Sequence, residues 1–137
     1  MSPSQMIFWI FMSAALGFAV RFGGRDERMA AGCIAAAAVL STVATVHNYS
    51  TPEVWVILVD FMLFCGLATI SLQSRSFWPI WAAGLQLCGL AVHLAAARMP
   101  TMRPAAYADT LAIWSYLVIV SVALGTWLEV RRRYGQQ

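Results

Sequence analysis

The chain has 137 residues, of which 61% are hydrophobic and 11% charged, against roughly half and a quarter in an ordinary soluble domain. That balance excludes a soluble globular domain, and at about 20 residues per spanning helix it leaves no room for a separate catalytic domain outside a membrane. The basic residues are nine arginines, and a net charge of +3 dispersed along the chain is too weak for a nucleic-acid footprint, so no nucleic-acid partner is expected.

Five apolar segments follow one another, at about 4–22, 29–47, 53–72, 77–97 and 105–130. The first lacks a basic leader and a small-residue cleavage site before Arg21, so it reads as a retained helix and not a secretion signal. The second carries the run Ala35-Ala36-Ala37-Ala38, which partitions into lipid less readily than leucine or phenylalanine. Arginine distribution decides whether it spans, because cytoplasmic loops collect basic residues. With five spans and an exported N-terminus, seven arginines (Arg21, Arg25, Arg28, Arg75, Arg131, Arg132 and Arg133) face the cytoplasm, against Arg98 and Arg103 outside. Removing the second span gives five against four, almost no bias. The expected fold is therefore an all-α, multi-pass bundle of five transmembrane helices forming one domain, N-terminus outside and C-terminus cytoplasmic.

The third segment opens on Thr51-Pro52-Glu53, a capping hydroxyl, a proline suited to the first helical turn and a carboxylate at the positive end of the helix dipole. Pro79 and Pro104 occupy similar positions at the starts of the fourth and fifth. Trp9, Tyr49, Trp55 and Tyr107 are placed at the outer membrane boundary, and Trp78, Trp81, Trp127 and Tyr134 at the inner one, the aromatic belts of a spanning bundle. Short loops make sequential helices antiparallel neighbours. Small residues four apart (Ser13 with Gly17, Gly32 with Ala36, Gly84 with Cys88, Ser121 with Gly125) predict close backbone approach, with the alanine-rich second helix the most enclosed. Cys33, Cys65 and Cys88 have no metal or disulfide spacing and read as small buried residues.

Polar residues within the apolar segments are few, and an ionisable group in hydrocarbon costs about 2.5–3.5 kcal/mol on insertion scales. Asp60 lies seven residues into the third segment, roughly 10 Å below the outer boundary. His93 lies near the outer end of the fourth and Asp109 near the start of the fifth, so the three share an outer-half layer. Glu53 with Asp60, Gln86 with His93 and Asp109 with Tyr116 are each seven apart, a spacing that puts both members on one helix face. Gln86 and Tyr116 then form a deeper layer, and Ser41 with Thr45 share a face of the second helix. Two readings stand side by side: Asp60 paired with His93 as interhelical glue, or a ligand, proton or ion site around Asp60, His93, Asp109, Gln86 and Tyr116. His47 and His93 fall at different depths, which argues against a shared haem. A metal set of His93, Asp60 and Asp109 lacks any local motif, so no cofactor or metal is assigned. No catalytic motif is present, and an enzyme is not expected.

The stretch Phe77-Trp78-Pro79-Ile80-Trp81-Ala82-Ala83-Gly84-Leu85-Gln86 through His93-Leu94, with Ala106-Tyr107-Ala108 and Trp114-Ser115-Tyr116, resembles small uncharacterised integral membrane proteins of alphaproteobacteria. The resemblance covers roughly the second half of the chain. It implies a bacterial inner-membrane location and carries no activity or functional residue with it. The leading expectation is a protein that acts by association in the lipid bilayer, as an accessory or assembly subunit of a larger complex or as a homo-oligomer. The alternative is a minimal transporter or channel with its site at Asp60, His93 and Asp109. The arginine count predicts that a reporter fused after Gln137 is reached only from the cytoplasm of intact cells, and periplasmic access to it would overturn the threading.

Overall fold

The computed structural model describes residues 3–47, 52–99, 101 and 103–137. They form five α-helices: α1 (Pro3–Phe22), α2 (Arg25–His47), α3 (Pro52–Gln73), α4 (Trp78–Arg98) and α5 (Pro104–Gly135). Tyr49 and the capping Thr51 lie outside the described residues, as do the side chains of Thr45, His47 and Glu53. Four helical stretches, Pro3–Phe22, Val54–Gln73, Trp78–Arg98 and Ala106–Gly135, are long and apolar enough to cross a membrane. The helix ends follow local chemistry. Proline stands in the first turn of α4 and of α5, where its missing N–H has no intrahelical partner to lose.

The second helix begins four residues earlier than its apolar stretch, at Arg25 rather than Met29. Asp26 and Glu27 therefore occupy its first turn, where carboxylates complement the helix dipole. Glu27 reaches back to accept the Gly24 N–H at 2.9 Å, the reciprocal half of a capping box. Gly23 is required just before it, since a Cβ there would lie 2.3 Å from the Ala19 carbonyl oxygen and 2.6 Å from the Glu27 Cβ.

Each helix packs against its chain neighbours, α5 returns to α1, and α2 also touches α5. The close-packed core occupies the half of the bundle nearer the Gly24 turn, where Ala15, Ala19, Ala30, Ala31, Ala82 and Ala83 bring backbones together around Leu67, Ile70, Trp78 and Val122. Two glycines let neighbouring side chains press onto a helix. A methyl group on Gly125 would lie 2.5 Å from the Trp78 indole, and one on Gly66 would lie 3.2 Å from the Cys33 sulfur.

Several expectations change. Gly17, Gly32 and Gly84 have nothing within 4 Å of where a Cβ would stand, so of the four small-residue pairs only Ser121 with Gly125 has its glycine at a close contact. The second helix is not enclosed: it exposes Val39, Leu40 and Val43, while α4 buries the side chains that meet α3 and α5. Cys88 is exposed, and Cys33 and Cys65 are half-buried, because they lie on helix flanks rather than in the core. Substituting Gly125→Val should displace Trp78 and lower stability by about 1–3 kcal/mol in thermal unfolding followed by circular dichroism in detergent. Gly17→Ala, at an open position, should leave stability unchanged or raise it by up to about 1 kcal/mol; equal losses at both sites would contradict the packing.

Candidate functional site

The sequence places one carboxylate in the apolar body of α3, and the fold brings a histidine and a tyrosine to it from the next two helices. His93 on α4 has a fully buried side chain. Its Nε2 lies 2.7 Å from Asp60 Oδ2 on α3, and its Nδ1 is hydrogen-bonded to the Tyr107 hydroxyl on α5. The ring edges of His93 and Tyr107 also meet, with centroids 5.6 Å apart and planes at 73°. An ionised Asp60 only accepts hydrogen bonds. With a neutral imidazole, Nε2–H then donates to Asp60 and Nδ1 accepts from the Tyr107 O–H, so all three groups are satisfied at once. The result is a directional chain of donors, Tyr107 to His93 to Asp60, running across three helices.

Gln86, two turns below His93 on the same face of α4, is buried, and its Nε2 donates to the Asp60 backbone carbonyl at 3.4 Å. Asp60 itself is not sealed: its side chain keeps 25% of its exposure. Asp60 also lines a cavity of about 270 Å³ that borders the core at Met12, Ile34, Val118 and Ile119 and to which all five helices contribute. Phe8, Trp9 and Met12 of α1 and Ala37, Ser41 and Thr42 of α2 face Asp60 and Leu63 of α3, Gln86 of α4, and Leu111 and Ser115 of α5. Thr42 and Ser115 return their hydroxyls to the Ala38 and Leu111 carbonyls of their own helices, at 2.8 and 2.9 Å, so neither hydrogen is free to serve a ligand. Among the described lining residues Asp60 is the one acidic or basic side chain.

Of the residues grouped from sequence, the structure therefore assembles Asp60, His93 and Gln86. Asp109 is exposed, and Tyr116 packs edge-on against Phe8 of α1, centroids 5.2 Å apart, and beside Phe11. The reason is angular. Residues two apart on a helix project about 200° apart, so once Tyr107 faces His93, Asp109 points away from it. Tyr107 replaces Asp109 as the α5 member; it had been assigned to the outer aromatic belt. A signal for it lay in the inward stripe Tyr107, Leu111, Ser115 and Val118, which recurs at helical spacing. The metal set of His93, Asp60 and Asp109 is not assembled, and among the described residues no three His, Cys, Asp or Glu side chains converge.

A second polar cluster lies at the opposite end. Glu27 is 3% exposed, and besides the Gly24 N–H it accepts the Trp78 indole N–H at 2.9 Å, so each carboxylate oxygen has a donor. Asp26 accepts the Ser74 hydroxyl at 2.5 Å, and Glu129 pairs with Arg132 and Arg133 at 3.5 and 3.2 Å. These bonds tie the Gly24 end together around a polar pocket of about 370 Å³ lined by Asp26, Glu27, Arg75 and Glu129 among others, whereas Asp60 borders a mostly apolar cavity.

Among the described residues the fold and site define a helical bundle with four helices long and apolar enough to cross a membrane and an aspartate, Asp60, at a half-open cavity between helices. Compared with known proteins, the chain matches no family, no curated protein and no solved structure. A double-mutant cycle on Asp60→Asn and His93→Gln should return a coupling of about 0.6–2 kcal/mol, read as reversible unfolding in detergent. Strictly additive losses would show that the pair does not act as a unit.

Proposed function

We propose that this chain is a minimal membrane transporter or channel whose site is the Asp60–His93–Tyr107 chain and the cavity it reaches. The observation that carries this reading is the asymmetry of the pair: His93 is fully buried, whereas Asp60 keeps a quarter of its side chain exposed and lines a cavity of about 270 Å³. A pair serving only as interhelical glue needs no such opening, whereas a proton or ion site does, and contact with the cavity also lessens the desolvation cost of the carboxylate. Tyr107, near the start of α5 and half-buried, stands toward the bundle surface, and Asp60 toward the cavity. The three groups thus join the outer end of the bundle to its hollow centre by hydrogen bonds along which a proton can be handed. Asp60 and His93 are the exchanging groups, Tyr107 the outer donor, and Gln86 holds the α3 backbone in place.

The threading that goes with this function is five spans, N-terminus outside, in a bacterial inner membrane. α2 is 23 residues long, about 34 Å at 1.5 Å per residue, and packs along α1 and α3, so it lies at the depth of the helices beside it. The seven-to-two arginine division supports the orientation, and the resemblance to alphaproteobacterial membrane proteins supports the compartment.

A second reading, an accessory or assembly subunit or a homo-oligomer, is favoured by a different observation. Between α2 and α3 runs an apolar groove of about 500 Å³, lined by Cys33, Ala36, Leu40, Trp55, Leu58 and Met62, an apolar surface of the kind a partner subunit covers. Mass spectrometry after gentle extraction distinguishes the two, a stoichiometric larger partner favouring assembly. The transport reading is tested in proteoliposomes. Wild-type protein should pass protons or a small solute, and Asp60→Asn should abolish that flux while the bundle still folds by circular dichroism. Absence of any wild-type flux, with Asp60→Asn merely unstable, would leave the pair structural.

A further inference from the structure

The proposed site says little by itself about what enters the cavity, but the inventory of its walls does. We infer that the cavity takes a small lipophilic organic cation, an amine or quaternary ammonium group carried on an apolar body. This deepens the transport reading and rests on the same Asp60 site.

The argument begins with charge. Asp60 is the one acidic residue among the described lining residues, and no arginine stands with it there. His93 Nε2 lies 2.7 Å from Oδ2 and His93 is not among the lining residues, so the acidic group that the cavity meets is the Asp60 carboxyl. An anion would meet that charge with no cation to offset it, whereas a cation would neutralise it in an environment where Coulomb attraction is far stronger than in water.

The wall keeps both kinds of hydrogen-bonding group. The Thr42 and Ser115 hydroxyl hydrogens are spent on backbone carbonyls, while the Ser41 hydroxyl and the Trp9 indole N–H also belong to lining residues, so the choice of ligand rests on charge and on the aromatic wall.

The remainder of the wall is apolar or aromatic. Phe8 and Trp9 lie edge-to-face with centroids 6.3 Å apart and both line the cavity. Aromatic faces attract cations, quaternary ammonium groups most characteristically. Met12, Leu63 and Leu111 supply a surface for the hydrocarbon part of the ligand. A small inorganic cation is a poorer match, because it demands several oxygen ligands at close range and the cavity presents carbon on most sides.

The test uses a matched pair of probes. Benzyltrimethylammonium and neopentylbenzene have nearly the same shape and differ in charge. With purified full-length protein in nanodiscs, the cation should bind at least about tenfold more tightly than its neutral counterpart, a difference of about 1.4 kcal/mol. That preference should vanish in Asp60→Asn. Because Asp60→Asn also touches the His93 pair, Ser41→Leu provides a second variant: it fills the cavity from α2 without altering the hydrogen-bonded chain, and should abolish binding of both probes. Equal affinity for the two probes, or cation binding unaffected by Asp60→Asn and Ser41→Leu together, would overturn the inference. Failure of the inference and failure of the transport reading are separable. Asp60-dependent proton flux with no binding of the cation rejects the ligand class alone, whereas cation binding without any flux upholds the site and rejects transport.

Discussion

A carboxylate held away from water must have its oxygens met by donors, and the bundle is organised around two such groups. Glu27 and Asp60 sit at opposite ends, and each draws its donor from α4: the Trp78 indole for one, the His93 imidazole for the other. Burial of an unpaired charge would cost several kcal/mol, so both bonds constrain where α4 can lie. α2 and α4 are not packing neighbours, and the Trp78 side chain crosses the space between them to reach Glu27. Gly125 makes that crossing possible, since any side chain there would collide with the indole.

The two ends solve the same electrostatic problem differently. At the Gly24 end, Glu27 is 3% exposed, a backbone amide and an indole meet its two oxygens, and small residues fill the interior. At the other end the bonds of His93 to Asp60 and Tyr107 and of Gln86 to the Asp60 carbonyl hold α3, α4 and α5 together, and Asp60 borders the hollow beside them. Alanines at the packed end and larger, more widely spaced side chains such as Trp9, Val56 and Leu111 at the open end account for the difference: small residues allow backbones to approach, while bulky ones prop them apart. The cavity beside Asp60, with Phe8 and Trp9 in its wall and the His93–Tyr107 link leading away from it, is the feature on which the transport proposal rests.

The positions of the helices were largely legible from the sequence, because the apolar periodicity, the prolines at Pro79 and Pro104 and the short polar breaks mark helix limits by local rules. The start of α2 was misplaced for an instructive reason. Arg25 to Arg28 read as loop because they are charged, yet a helix can begin outside the hydrocarbon, and its first turn welcomes Asp26 and Glu27. Asp60, Gln86 and His93 were legible as site members because polar residues in an apolar helix are rare, and their spacing alone places Gln86 and His93 on one face. Tyr107 was not, because a tyrosine near a helix start is equally suited to the membrane boundary, and Asp109, two residues on, carried the stronger chemical signal.

By itself, then, the sequence determined the lipid-like composition, the helical limits, the bias of arginine to one side and the scarcity of charge that singles out Asp60. These are properties of one segment at a time, set by hydropathy and by backbone chemistry. Only the tertiary structure decided which rotational setting each helix adopts, and with it that Tyr107 rather than Asp109 meets His93, that Glu27 is tied to Trp78, and that the space beside Asp60 stays open. Helix rotation is set by how side chains on different helices fit together, and a sequence read along one helix holds no record of the angle at which its neighbour faces it.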